Sequence, residues 1–197
     1  MKNIFLILSV MTVFSSFMIG VKSIIKGNFR PQRMSWFLMT LIMVLACGTL
    51  WAQGDRNAFW LALAICLTNL AIFILSIKKG LGGTSKLDII VFCMVILSLF
   101  IWYTTKNPLL GLIMSMITDL IALLPTLTKA WILPETEERR IWIIGIISSF
   151  LNIISLSPIV IGKVIFPLFV LIINLVVVLI IIFRSYIKKY NSIKTIV

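Results

Sequence analysis

The chain contains no histidine. It therefore lacks the side chain most used for acid–base chemistry near neutral pH, which is also the commonest metal ligand. Charge is scarce as well. Asp, Glu, Lys and Arg together make up 12% of the 197 residues, about half the share of an ordinary soluble domain. The three cysteines, Cys47, Cys66 and Cys93, stand singly inside apolar runs with no CxxC spacing. Buried Cys usually behaves as a small hydrophobe, so neither a disulfide nor a metal site is expected. No phosphate-binding loop, dinucleotide fingerprint or nucleophile elbow is present. The chain is accordingly read as a non-enzyme with no cofactor, and nucleotide-driven work would need another subunit.

Apolar residues are abundant, at 61% hydrophobic. A chain this short cannot hide that excess in a water-soluble core, because small domains expose much of their surface. Membrane barrels alternate polar and apolar residues along each strand, whereas the runs here are continuous. What remains is an all-α integral membrane protein. Seven runs approach the roughly 20 residues needed to cross a bilayer: Ile4–Val21, Ser35–Ala52, Ala58–Ile77, Leu87–Thr104, Pro108–Lys129, Ile141–Val160 and Val164–Phe183.

Local signals fix several boundaries. Ser85-Lys86-Leu87-Asp88 has the capping-box pattern, and Asn107-Pro108 supplies a cap and a first-turn proline. Lys78-Lys79-Gly80 reads as a helix end, with Gly80, Gly82 and Gly83 as a flexible joint beyond it. The region Ser15–Ser23 offers no convincing small-x-small cleavage site, so the first run is expected to be a retained helix.

The net charge of +12 is read as topology rather than as a nucleic-acid surface. Alternate connections and the carboxyl tail carry 14 Lys and Arg, against 4 on the other side. This bias predicts an amino terminus outside and a carboxyl terminus in the cytoplasm, and the lipid bilayer is the expected surrounding partner. The Ile- and Lys-rich composition with short loops points to a bacterial cytoplasmic membrane. A homo-oligomer is compatible with this reading.

The chain also matches itself. A shift of 106 residues superposes Ser9 on Ser115, Thr12 on Thr118 and Trp36 on Trp142, and a shift of 105 superposes Asn69 on Asn174. The matches run in order through three successive helices. They imply a three-helix repeat over 1–80, a linker helix over 81–106, a second repeat over 107–187 and a basic tail over 188–197. An odd linker helix makes two three-helix units parallel rather than inverted. Solute sites lie near the midplane between such repeats.

This 3+1+3 arrangement resembles the SWEET and PQ-loop superfamily of small-solute membrane transporters, including the half-size SemiSWEETs. The resemblance implies a substrate pocket lined by an Asn from the third helix of each repeat, here Asn69 and Asn174. It implies second-helix pocket residues near Trp51 in one repeat and near Ser155 and Ser157 in the other. It also implies a hinge proline in the first helix of each repeat. Pro125 fits that place in the second repeat. The first repeat has Met18 or Ile19 there, and its Pro31-Gln32 falls in the loop beyond. Second-helix prolines are missing apart from Pro158.

Polar groups in the hydrocarbon are costly and usually face the bundle interior. Asp119 is the only acidic residue near a bilayer centre, with no Lys or Arg at its depth. It is read as a proton- or cation-coupling group or a ligand for a cationic substrate, the alternative being a capped structural Asp. The paired Asn69 and Asn174 suit sugar or amide recognition, the alternative being helix–helix hydrogen bonding. Ser9, Thr12 and Ser16 share one helix face, as do Ser148, Asn152 and Ser155. Both stripes read first as packing surfaces, with Asn152 the best candidate for solute contact. Trp36, Trp131, Trp142, Trp60 and Trp102 are expected as interfacial anchors, and Glu135, Glu137 and Glu138 as a solvated helix entrance. The expectation is a carrier for a small polar solute, sugar-like or another small metabolite, working by alternating access. Its rival is a non-transporting scaffold or accessory subunit.

Overall fold

The computed structural model describes residues 2–157 and 160–194, with side chains over 3–157 and 160–188. The expected Pro158 lies outside the described residues. Seven α-helices are described: α1 Lys2–Ile25, α2 Arg33–Gln53, α3 Arg56–Lys79, α4 Lys86–Thr105, α5 Pro108–Ile132, α6 Arg139–Ser155 and α7 Ile161–Lys194. A single 3-10 turn, Pro134–Thr136, sits between α5 and α6. No strand is present among the described residues; one isolated parallel bridge joins Gln32 and Leu81.

The helix ends follow from short polar side chains that accept orphan amide protons. Ser85 and Asp88 form the reciprocal capping box expected from sequence. Asn107 accepts from the Leu110 amide at 3.2 Å, just before Pro108. Asp55 accepts from the Ala58 amide at 3.2 Å. α2 closes on Gly54, whose φ of 74° is open to glycine at little cost.

Six of the seven helices are long and apolar enough to cross a membrane. The exception is α6, with 17 residues. At 1.5 Å per residue it spans about 26 Å, short of a hydrocarbon core of about 30 Å. The expected run Ile141–Val160 is thus cut back to Ser155. The sequence explains the stop, because a residue before proline, here Ser157, is pushed out of the helical region. α7 is longer than expected and carries the helix through the stretch expected as a basic tail, to Lys194.

The exterior is apolar, and polar side chains share the interior with a buried apolar cluster that includes Ile42, Leu61, Leu112 and Phe166. Large apolar side chains such as Met11, Phe14, Phe100 and Ile161 are exposed, whereas Ser9, Ser16, Asn69, Ser98, Asp119, Ser148 and Asn152 are buried. Apolar outside and hydrogen-bonding inside is the arrangement a bilayer demands. α3 lies between α1 and α2, and α7 lies between α5 and α6. α1 packs on α6, and α2 packs on α5, so the two sets of three interlock. α4 packs on α5 and the edge of α2. Its Trp102 sits where Cβ atoms on Gly48 and Gly111 would approach to 3.0 Å, so both glycines let the indole close against the bundle.

The glycine segment after α3 is tied down rather than free. The Leu81 amide donates to the Pro31 carbonyl at 2.8 Å, and the Arg33 amide donates to the Leu81 carbonyl at 3.0 Å. Gly80 is extended rather than left-handed. A Cβ there would stand 2.8 Å from the Pro31 carbonyl oxygen, so close approach of the α1–α2 loop requires the glycine.

Candidate functional site

Where the two sets of three helices meet, they leave a cavity of about 70 Å³. A single water needs roughly 10–15 Å³ on this scale, so several waters fit. Ordinary ligand pockets measure about 300–1,000 Å³, so this cavity is well below that range. α1, α3 and α5 contribute residues from near their middles. α2 and α6 contribute from their first three turns: Trp36, Met39 and Met43 from one, and Ile141, Trp142, Gly145 and Ser148 from the other.

The lining is organised in pairs. Val13 and Asp119, Trp36 and Trp142, and Met39 and Gly145 lie 106 residues apart, and all six line the cavity. Ile65 and Val170, Thr68 and Ile173, and Asn69 and Asn174 lie 105 apart and line it too. Three of the expected site residues, Asn69, Asn174 and Asp119, are therefore brought together, each buried to at least nine-tenths. Asn174 donates to the Val170 carbonyl at 2.6 Å. Its amide is pressed onto the α6 backbone, where a Cβ on Gly145 would lie 2.6 Å from Asn174 Cγ. Asp119 is 2% exposed, and its Oδ1 has no hydrogen-bond partner. No Lys or Arg lines the cavity.

At its Lys- and Arg-rich end the cavity is capped by aromatic rings and an ionic layer. Trp36 and Trp142 meet with ring centroids 5.9 Å apart, and Phe29 packs edge-on against Trp36 at 6.0 Å. Beside them the Lys129 ammonium pairs with Glu137 at 2.6 Å and also donates to the Arg30 carbonyl. Burial pushes the Glu137 carboxyl up, and Lys129 pulls against that rise. The Trp142 N–H faces this carboxylate without reaching a well-formed hydrogen bond. Ser23 donates to Glu138, and Arg140 donates to the same carboxylate twice, each at 2.8 Å. These bonds to Arg140, aided by Ser23, hold the Glu138 carboxyl below its usual range.

Several expectations are corrected here. Trp36 and Trp142 are not interfacial anchors; they are 2% and 4% exposed and line the cavity. Glu137 and Glu138 are not a solvated entrance, because each is buried against a partner, and only Glu135 is exposed, 3.1 Å from Lys188. Trp51 is not a pocket wall. It is 53% exposed at the far end of α2, under the Arg56 guanidinium at 3.4 Å from the ring centroid and against Phe59. Asn152 does not reach the cavity lining. It donates to the Asn57 carbonyl at 3.0 Å, and Asn57 donates to the Ser155 carbonyl at 3.2 Å and hydroxyl at 3.1 Å, which ties α6 to α3. Ser155 is thus spent on packing, and Ser157 is exposed in the following bend, lining a separate surface pocket with Asp55, Asn57 and Lys163. Pro125 lies within α5, which continues through it, and takes no part in the lining.

The serine stripes split. Ser9 donates to the Ser148 carbonyl at 2.8 Å and joins α1 to α6. Ser16 and Ser148 face the cavity, and Thr12 bonds back to the Leu8 carbonyl. Trp131 remains exposed, stacked under Arg184. Among the described residues no cluster of three or more Cys, Asp or Glu is gathered for a metal ion. Sequence reasoning missed Gly145 and Thr68 as lining residues. Thr68 adjoins Asn69 on α3, and Gly145 stands three residues before Ser148 on α6, so each lies beside a polar residue that the sequence had singled out.

No protein-family model, curated protein or solved structure matches this chain.

Proposed function

We propose that the protein is a membrane carrier for a small polar solute, built as two parallel three-helix units, α1–α3 and α5–α7, joined by α4. The observation that carries this reading is the cavity lined by pairs 105 or 106 residues apart, including both mid-helix asparagines. The reciprocal packing of α1 on α6 and α2 on α5 supports it, because a twofold-like relation exchanges those two contacts. The units rock about the cavity, and the solute faces each side in turn. α6, though short, serves as the middle crossing of the second unit. The Lys and Arg bias orients the amino terminus outside and the carboxyl terminus in the cytoplasm of a bacterial inner membrane. The family this most resembles is the SWEET and PQ-loop superfamily.

The small volume favours one rival, a scaffold whose polar residues only pack the bundle. Solute counterflow in proteoliposomes separates the two. A carrier exchanges at least one class from a panel of amines, sugars, amino acids and nucleosides, and an Asn69→Ala/Asn174→Ala variant of normal fold loses that exchange. A scaffold exchanges none of them.

A further inference from the structure

The cavity has one ionisable group and no cation to balance it. Asp119 is 2% exposed, its Oδ1 is unpartnered, and no Lys or Arg lines the space around it. Asn69, Asn174 and Thr68 line the same cavity as neutral polar groups, the last two already donating to the Val170 and Ala64 carbonyls and left with acceptor oxygens, and the Trp36 and Trp142 indoles offer π density at one end. The carboxylate and the indoles select by charge. A lone carboxylate in a low-dielectric space repels anions and pairs strongly with a cation. Indole faces attract ammonium groups further. The amides and the threonine hydroxyl suit a neighbouring hydroxyl or amide on the same molecule.

We infer that the solute is a small organic ammonium ion, its charged nitrogen held at Asp119 and its polar substituent held by Asn69 and Asn174. The inference rests on the carrier reading and narrows its substrate class. The volume of about 70 Å³ suits a head group of a few heavy atoms in this conformation. A neutral polyol would leave Asp119 either charged and unpaired or protonated with no selectivity for charge.

The test is a titration of the purified full-length protein at pH 7 and fixed ionic strength, followed by intrinsic tryptophan fluorescence because Trp36 and Trp142 line the cavity. The probes are ethanolamine, its neutral counterpart ethylene glycol and the anion glycolate. Saturable binding of ethanolamine alone is expected. It should weaken by about thirtyfold or more in Asp119→Asn, as expected for removing one partner of a desolvated charge pair. Asp119→Glu, which keeps the charge, should retain most of it. Equal responses to ethanolamine and ethylene glycol overturn the inference, as does an ethanolamine response unchanged in Asp119→Asn, or no saturable response. Should Asp119→Asn fail to fold, the selectivity of the unaltered protein decides alone. Ethanolamine binding without counterflow keeps the ammonium site at Asp119 and defeats the carrier. Counterflow of a neutral solute, untouched by Asp119→Asn, keeps the carrier and defeats the inference.

Discussion

The two walls of the cavity share a plan and differ in chemistry. The wall from α1–α3 offers Val13, Met39, Ile65, Thr68 and Asn69, while its counterpart from α5–α7 offers Asp119, Gly145, Val170, Ile173 and Asn174. Only the asparagines and the tryptophans are kept on both sides. Charge stands on one wall alone, and so does the glycine that lets Asn174 press against the α6 backbone. The layer beneath repeats the contrast. Lys129 of α5 closes on Glu137 as an ion pair, whereas Ser23, which lies 106 residues earlier, closes on Glu138 through a hydroxyl. The two walls thus share one space, and a few side chains distinguish them.

The largest effect is expected in the ionic layer. Lys129→Met leaves Glu137 buried without its cation and should cost about 3–5 kcal/mol of stability, measured by denaturant titration in micelles. Removing both charges, Lys129→Met with Glu137→Leu, should recover most of that loss. A double variant as unstable as the single one would show that the pair does not act as a unit.

Gly145→Ala comes next. Its Cβ would crowd Asn174 Cγ at 2.6 Å, so the amide must swing or the helices must part. The expected loss is about 1–3 kcal/mol, with counterflow cut in parallel. Met39→Leu, at the matching place on the first wall, keeps the bulk with little strain. Solute exchange should survive there if the walls differ as described.

Moving the charge sharpens the comparison. Asp119→Val should abolish ethanolamine binding. Adding Val13→Asp to that variant places a carboxylate on the opposite wall at the paired position, and part of the binding should return. No return at all in a folded double variant would mean that the two positions are not equivalent.

The smallest expected effect lies at Glu138. Its folded carboxyl titrates below the ordinary value of 4.5, chiefly through its hydrogen bonds to Arg140. The sign follows: the contribution is complete above pH 4.5 and is lost as pH falls through the lower folded value. Arg140 is largely exposed, so screening limits the effect. Glu138→Gln should cost about 1 kcal/mol at pH 7, and the gap from the unaltered protein should close in acid.

Much of this was legible in the sequence because the bilayer forces continuous apolar runs and caps mark their ends. Ser85 with Asp88, and Asn107 with Pro108, placed two helix starts correctly. Asn69, Asn174 and Asp119 could be picked out because a polar group in hydrocarbon has few reasons to be there. The failures share one cause, since depth along a helix does not say which neighbour a side chain meets. Trp51 sits at the end of α2 with its ring outward, and Trp36 sits near the start of the same helix with its ring inward. The acidic run looked solvated because its partners, Lys129 and Ser23, arrive from other helices. The glycine joint looked loose because its bridge to Pro31 and Gln32 spans about fifty residues of chain.

Alternating access to this cavity is the central claim, and a single cysteine tests it most directly. Thr68 lines the cavity and is 6% exposed. With Cys47, Cys66 and Cys93 replaced by alanine, Thr68→Cys would be treated with a membrane-impermeant thiol reagent from either face of sealed, oriented vesicles. Labelling is expected from both faces in turn, slowed at both by ethanolamine. Labelling from one face only, or from neither in a folded protein, would contradict it.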